Sequence, residues 1–495
     1  MLPREVAGDA TLGPAGSGDP ADKDPGAAAP RTAAVVLFGF LLALSSFWHQ
    51  RHFDSATPVS RLDLLHALVT HHRFRINGYD KNTPDKAIAG GDYYSDKAPG
   101  TAALALPPFA LAAGLVRLAG VELDSPAGWR VSSWVACAGS QALPLALGGV
   151  ALGVWLAGFV SRRVAWFTVL ALFLGGMPLP YCTLLFSHAQ VVGLLGVTVW
   201  GMALFGEARP GAPRRPTGWP GRWRLALAGL CAGLALASEY TAGLVVMALG
   251  VYLLVRRRAG LGWFLLGAAP PLLLIPAYSW ITMGSPFTLP YSHQASFPEM
   301  QEGLYAIKWP DAETAYKLLF SPARGLFFWS PFLVLAGFGY AALLRRSLGA
   351  FWLMYAVPLV QIAVISGRVW DWEAGFCFGP RYLAPMLPLL ALPCALGWER
   401  WPRLGTLLAV YSVEVTTLAT ITDICSSYGV LDPLTESNIP KFLVGDFSYN
   451  LGTAVLGLPP YGSVGLYYAL LIGGSIWLWR LTAPGGPAPT STSAG

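Results

Sequence analysis

Four residues have the types needed to move a group off a phosphate: Asp54 as a carboxylate that accepts a proton, and Lys97, Arg324 and Arg381 as cations that hold the departing anion. Each flanks an apolar run. Asp54 lies six residues beyond Trp48 in the stretch WHQRHFDSATPVSRLDLLHALVTHHRF, where it serves either as a base or, with Ser55 before Pro58, as a simple turn former. Lys97 belongs to GGDYYSDKAPG; a lysine at a membrane surface suits a phosphate as a point charge, and equally suits a snorkelling anchor beside Tyr93 and Tyr94. Arg324 (LLFSPARGLFFWSP) and Arg381 (SGRVWDWEAGFCFGPRYLAPMLP) each precede an apolar run, a place from which arginines also reach lipid headgroups. Three cations on one face fit a cradle for a phosphorylated lipid better, because a diffuse anion needs several converging donors.

Around these four stand further polar residues that could line a substrate site: Asp63, Tyr94, Asp96, His188, Glu239, His293, Arg368, Asp371 and Glu373. Each has a plainer role open to it, as a helix cap, an interfacial aromatic or a loop ion pair. Glu414 falls within an apolar run and needs a partner or a proton. His52, His71, His72 and His293 near acids would admit a divalent cation, but no ligand spacing requires one. The six cysteines show no repeated spacing and point to neither a disulfide framework nor a metal site.

The elements that must position these residues are membrane helices. The chain is 54% hydrophobic and 12% charged, too little charge to cover a water-facing surface. The net charge of +6 does not signal nucleic acid, since the basic residues cluster in short pieces between apolar runs, as topology signals do. Apolar runs near 33–49, 131–158, 164–181, 187–206, 224–238, 240–255, 262–281, 326–344, 349–366, 382–398, 404–421 and 463–480 predict an all-α polytopic membrane protein of about twelve transmembrane helices. Threading from a cytoplasmic Arg31 puts Arg162/Arg163, Arg209 to Arg224, Arg256–Arg258, Arg345/Arg346, Arg400/Arg403 and Arg480 on the cytoplasmic side. The run 98–118 is apolar enough to cross, but counting it inverts every later cluster, so it is expected to be interfacial or re-entrant within the first outer loop.

One bundle over 33–481 is therefore expected, with outer segments 50–130, 282–325, 367–381 and 422–462. The Gly-, Ala- and Pro-rich tails 1–32 and 482–495 are expected to be disordered and cytoplasmic. Almost all the unusual polar residues fall in the outer segments, which places the chemistry on the extracytoplasmic face of a plasma membrane, in all expectation a bacterial inner membrane.

A first span, an outer loop opening with an acid near the membrane, a Tyr-rich Lys-Ala-Pro turn before an interfacial helix, and later Arg-bearing loops resemble the GT-C fold integral membrane glycosyltransferases. Within that fold the pattern is similar to the lipid A aminoarabinose transferase and protein O-mannosyltransferase group. The resemblance implies a polyprenyl-phosphate sugar donor and a lipid, glycan or protein acceptor. It also implies Asp54 as catalytic base, Lys97 at the donor phosphate, and sugar transfer to an acceptor hydroxyl with inversion. The chain departs from those relatives in having Asp54-Ser55 where they often carry adjacent acids, and Lys-Ala-Pro for Lys-Pro. A transporter or flippase of a phosphorylated lipid or glycolipid would also need cations near an anion, but it would place charge at the bilayer midplane, where Glu414 alone qualifies.

Overall fold

The computed structural model describes residues 25–51, 53, 55–204, 221–301 and 307–483, so Asp54 and His52 lie outside the described residues. Helices of ten residues or more are numbered here. They are α1 Pro25–Phe47, α2 Ala56–His71, α3 Pro99–Leu118, α4 Pro126–Cys137, α5 Leu143–Leu156, α6 Arg162–Leu174, α7 His188–Met202, α8 Arg222–Ser238, α9 Gly243–Arg256, α10 Arg258–Leu272, α11 Leu274–Met283, α12 Leu335–Arg346, α13 Leu348–Ser366, α14 Leu387–Arg400, α15 Pro402–Ile421 and α16 Pro460–Leu481. Two short antiparallel pairs complete the set: β1 (Trp48–His49) with β4 (Tyr449–Asn450), and β2 (Lys86–Ala89) with β3 (Asp92–Ser95). Helix is the expected solution, since an apolar solvent leaves backbone groups only one another to bond.

Every apolar run read from the sequence is occupied by helix, and successive runs alternate between two ends of the bundle. One end gathers the close of α1, where Gln50 donates to the Thr420 carbonyl (2.8 Å), and the close of α11, where Tyr278 donates to the Ser95 carbonyl (2.8 Å). It is called the site end. The far end collects the basic clusters: Arg257 donates to the Met202 carbonyl (3.1 Å), Arg163 lies over Trp479 (3.6 Å), and Glu399 accepts from the Ser161 amide (2.9 Å). Arginines near helix C-termini there complement the dipoles and leave the apolar shafts uncharged.

Twelve spans are not what length alone gives. Among the described residues, seven stretches are long and apolar enough to cross a membrane, and three shorter ones (Arg31–Phe47, His188–Met202, Tyr240–Arg256) are apolar but brief. The reason is local: α6 stops at Leu174 before Gly175-Gly176, and the run 326–344 is divided among Leu326–Trp329, Pro331–Val334 and α12, whereas α10 and α11, joined through Leu273, count as one stretch, Arg258–Met283. α1 begins at Pro25, eight residues before the apolar run that starts at 33.

The run 98–118 forms the unbroken α3, twenty residues through Pro107-Pro108. Its first turn is at the site end, where Gln190 of α7 donates to Thr101 (3.2 Å) and a Cβ on Gly100 would meet Ser238 Oγ at 2.6 Å. Its last turn meets α2, with Arg117 donating to Thr70 (3.5 Å). α3 is thereby tied to α7 and α8 at its first turn and to α2 at its last, and by length and composition it is one of the seven stretches able to cross. Its partner, the continuous stretch Pro126–Leu156, runs 31 residues, or about 46 Å at 1.5 Å per residue, so α4 overhangs the bundle.

Candidate functional site

The site is assembled by a hairpin. Gly90 and Gly91 both take positive φ (59° and 86°), the conformation a two-residue turn between right-twisted strands needs. Pairing of Lys86 with Ser95 then sets Asp85 beside Asp96 at the open end of β2 and β3. Lys97 follows directly. Its Nζ is 2.8 Å from Asp85 Oδ2 and 3.1 Å from Asp96 Oδ2, and it stands 5.3 Å from the Tyr291 ring centroid. All three charged groups are buried.

Arg381, 284 residues further on, joins them. Its Nη1 donates to Thr57 (3.4 Å), whose hydroxyl donates to Asp85 (2.8 Å), and its Nη2 donates to the Tyr382 hydroxyl (3.2 Å). Arg61 of α2 donates to the Leu185 carbonyl (3.2 Å) and to Ser187 (3.5 Å), and Ser187 in turn donates to Glu239 (2.7 Å). His188 Nε2 stands 3.6 Å from the same carboxylate. Arg368 pairs with Asp371 (2.9 Å) and lies 5.0 Å from the Tyr382 ring. The Nε groups of Arg61, Arg368 and Arg381 are buried without a hydrogen-bond partner among the described residues, so the cluster holds donors in reserve for an anion.

The electrostatics are asymmetric. Burial would push Asp85 up, but the Lys97 ammonium and the Thr57 hydroxyl more than offset it and hold this carboxyl below its usual range. Burial raises Asp96 to about 6, because Lys97 compensates less and Asp85 repels it. Burial alone would lower Lys97, yet the two carboxylates hold it above its ordinary value, firmly cationic. The group thus carries two acids on one cation, the second of which gains a proton just below neutral pH.

Beside this cluster opens a cavity of about 250 Å³ lined by Glu239, Tyr291, Arg368 and Tyr382 at one side and by Leu244 and Val364 at the other. Leu244 also belongs to a larger apolar groove of about 520 Å³ between α9 and α13, which continues to Arg256 at the far end. From Leu244 to Arg256 the helix rises about 18 Å.

Not all expected residues converge. Arg324 is buried apart from Lys97: its Nε donates to the Glu373 carbonyl (3.3 Å), Nη1 to Ala323 (2.9 Å), and Nη2 to Gly375 (3.3 Å) and Ser426 (3.0 Å). With its donors engaged by backbone it braces the loops 367–381 and 422–462, where the sequence reading put it in the phosphate cradle. Asp63 is buried under the first loop, accepting from Asn82 (2.9 Å), and burial pushes its carboxyl up to about 8. Tyr94 is on the strand face opposite Ser95, half-buried. His293 is exposed; Tyr291, two residues earlier on the same turn, is the one that faces Lys97. Glu414 accepts from Tyr468 (2.8 Å), which supplies the partner its depth demands. No group of three or more His, Cys, Asp or Glu among the described residues is placed to hold a metal ion. The site residues that the sequence reading missed are Thr57, Arg61, Asp85, Ser187, Tyr291 and Tyr382. Asp85 was findable, since Gly-Gly between two short alternating runs is a hairpin signal that pairs it with Asp96.

Neither a protein-family model nor a curated protein sequence matches the chain. Among solved structures, it is similar to ArnT from Cupriavidus metallidurans in the apo state (17% identity, TM-score 0.44, 92% of this chain and 76% of that one). The same enzyme bound to undecaprenyl phosphate matches at 16% identity and TM-score 0.44, over 93% and 78%. The Archaeoglobus fulgidus oligosaccharyltransferase matches at 12% and 0.40, and there the chain spans 57% of the other's length. With every TM-score below 0.5 these likenesses carry no argument about this chain, and the chemistry has to come from the side chains around Lys97.

Proposed function

We propose that this protein is a GT-C membrane glycosyltransferase that moves a sugar from a polyprenyl-phosphate donor to an acceptor hydroxyl, with inversion. One observation carries the reading: buried cations with unused donors, Arg368 and Arg381 beside Lys97, stand where an apolar groove between two helices reaches the site end. A phosphate attached to a long isoprenoid has that shape, an anion at one end and about 18 Å or more of hydrocarbon behind it. Two of the similar structures hold such lipids, undecaprenyl phosphate in ArnT and a dolichol-phosphate in the oligosaccharyltransferase.

In this reading Arg368, the Tyr291 and Tyr382 hydroxyls and the remaining donor of the Lys97 ammonium meet the phosphate, while Arg381 supplies charge from the layer behind them. A lipid phosphate leaves as a stable anion and needs cations in place of the second carboxylic acid of a glycosidase. Asp54 takes the proton of the acceptor hydroxyl as its oxygen attacks the anomeric carbon from the opposite side. Its described neighbours are fixed: Phe53 packs on Trp129 (5.4 Å between centroids) and Ser55 donates to the Phe376 carbonyl (2.9 Å). Arg324 acts as the brace that holds the Arg381 loop. The acceptor is a lipid, glycan or protein hydroxyl on the extracytoplasmic face of a bacterial plasma membrane.

The test is direct. Purified protein in lipid, given polyprenyl-phosphate sugars and a mixture of candidate acceptors, releases polyprenyl phosphate; Asp54→Asn binds the donor and releases none. Movement of the lipid across the bilayer with the sugar still attached would replace the transferase with a flippase.

A further inference from the structure

A second cavity, of about 290 Å³, lies at the site end between α4 and the chain around β4. It shares no lining residue with the cavity beside Lys97. Arg130, Trp134, Phe447 and Tyr449 form its walls, and Ala454 and Pro460 its rim. The Arg130 guanidinium is held 4.6 Å from the Tyr449 ring centroid, and no carboxylate of the described residues pairs with it. Its neighbours contrast with it: Arg51 is bound to Asp446 (2.8 Å) and Lys441 to Asp423 (2.6 Å). The frame around Arg130 is rigid. The Trp134 indole donates to the Ser46 carbonyl (2.9 Å), one face of its ring is stacked on His49 (5.5 Å, 7° between planes), and β1 pairs with β4 beneath it.

Apolar surface flanks the cavity. Val131 and Val135, one turn apart on α4, are exposed, and so are Val455 and Leu456 in the short helix Leu451–Leu456. An unpaired cation set among aromatic side chains, with exposed aliphatic side chains leading away from it, matches a lipid with an anionic head. We propose that this cavity binds the phosphate headgroup of an anionic membrane phospholipid, with its acyl chains along Val131 and Val135. The site is separate from the donor groove, and the inference stands whether or not the transferase reading does. Its reach into the rest of the molecule is short: Trp129, adjacent to Arg130, packs on Phe53 in the loop that opens toward α2. A lipid held by Arg130 therefore steadies the turn that carries that loop.

The experiment is native mass spectrometry of the full chain in neutral detergent, titrated with phosphatidylglycerol or phosphatidylcholine. The wild type retains one phosphatidylglycerol molecule that Arg130→Gln loses with about a fivefold weaker apparent affinity, while phosphatidylcholine retention is the same in both. Arg130→Lys keeps part of the preference. Ala454→Trp, at an exposed rim position that leaves Arg130 untouched, fills the cavity and loses the lipid too, which separates occupancy from any effect of the arginine on folding. Equal phosphatidylglycerol retention by wild type and Arg130→Gln overturns the proposal. Displacement of the bound lipid by millimolar inorganic phosphate alone overturns the assignment to a lipid, because it makes the cavity a simple anion site.

Discussion

Asp96 is the residue whose replacement says most about how the site handles charge. Replacing Lys97 itself is uninformative, because it strands Asp85 and Asp96 without their cation, and removing one partner from a buried pair costs about 3–5 kcal/mol of stability. Asp96→Asn does the opposite. It removes a carboxylate that burial already drives toward the neutral form, and one oxygen of which, Oδ1, has no hydrogen-bond partner among the described residues. A phosphate oxygen bonded to the Lys97 ammonium would lie about 5 Å from the Asp96 carboxylate, taking two hydrogen-bond lengths across the nitrogen. At an effective dielectric constant of about 20 two like unit charges at that distance repel by about 3 kcal/mol. Relief of half to all of it tightens polyprenyl-phosphate binding about ten- to a hundredfold at pH 7.5.

The pH dependence supplies the sign. Below pH 6 the wild-type Asp96 is protonated and the repulsion is absent; as pH rises through about 6 it ionises and donor affinity falls. The second ionisation of the lipid phosphate, with a pKa near 6, works in the other direction, so the readout is the difference between variant and wild type. Equilibrium binding of undecaprenyl phosphate from pH 5 to 8.5 should give nearly equal affinities at the acid end and a widening advantage for Asp96→Asn above pH 6. The melting temperature in detergent should stay level or rise. Parallel curves, or weaker binding by the variant at pH 7.5, would show that the phosphate does not meet Lys97, and the site as argued would fail.

Arg324→Ala should destabilise the fold by about 3 kcal/mol or more, read as a lower melting temperature, since four carbonyls lose their donor, while donor affinity of the folded fraction changes little; a selective loss of affinity at unchanged stability would return Arg324 to the cradle. Gly100→Ala drives a Cβ into Ala237 and Ser238 at 2.6 Å and should cut turnover by displacing the start of α3 and with it Lys97, whereas Gly114→Ala on the same helix meets nothing within 4 Å and should be silent. For Asp63, with its folded pKa of about 8 above the unfolded value, the native state keeps a proton that the unfolded chain loses; stability is therefore highest near pH 4 and falls by up to about 1.4 kcal/mol per pH unit until pH 8. Asp63→Asn should remove that slope and melt above the wild type at pH 9, with the gap closing at pH 5. His293→Ala, at an exposed position, should leave transfer unchanged in the polyprenyl-phosphate release assay.

The helices were legible because their signal is repeated: the apolar runs are bordered by basic clusters, and among the described residues those clusters meet at one end, as Arg163 over Trp479 and Arg257 at Met202 demonstrate. Parity among the clusters argued for leaving α3 out of the crossing count, while its length and composition put it among the stretches able to cross. The meeting of Lys97 with Arg381 was legible as a matter of face, both flanking runs at the same end. Distance along the sequence carried no information about the network through Thr57 and Asp85, because a hydroxyl and a loop aspartate have no periodicity to reveal them. Tyr291 and His293 show the limit of reading by residue type. The histidine has the more versatile chemistry, but a single turn of 3₁₀ helix aims the tyrosine inward and the histidine at solvent.

Arg324 and Lys97 mark a deeper difficulty, one that belongs to anion sites in general. A cation taken out of water must be compensated in every state of the protein, including the state without ligand. Arg324 meets that demand with backbone carbonyls, which no incoming phosphate displaces without unfolding the loops they belong to. Lys97 meets it with two aspartates of unequal strength, one held well ionised and one that titrates at about pH 6, so the weaker can take a proton and give up its charge when a phosphate arrives. A buried phosphate site therefore need not show itself in a sequence as a basic patch. It reads as mixed acids and bases, and what distinguishes it from a structural ion pair is a surplus carboxylate whose proton is available near neutral pH.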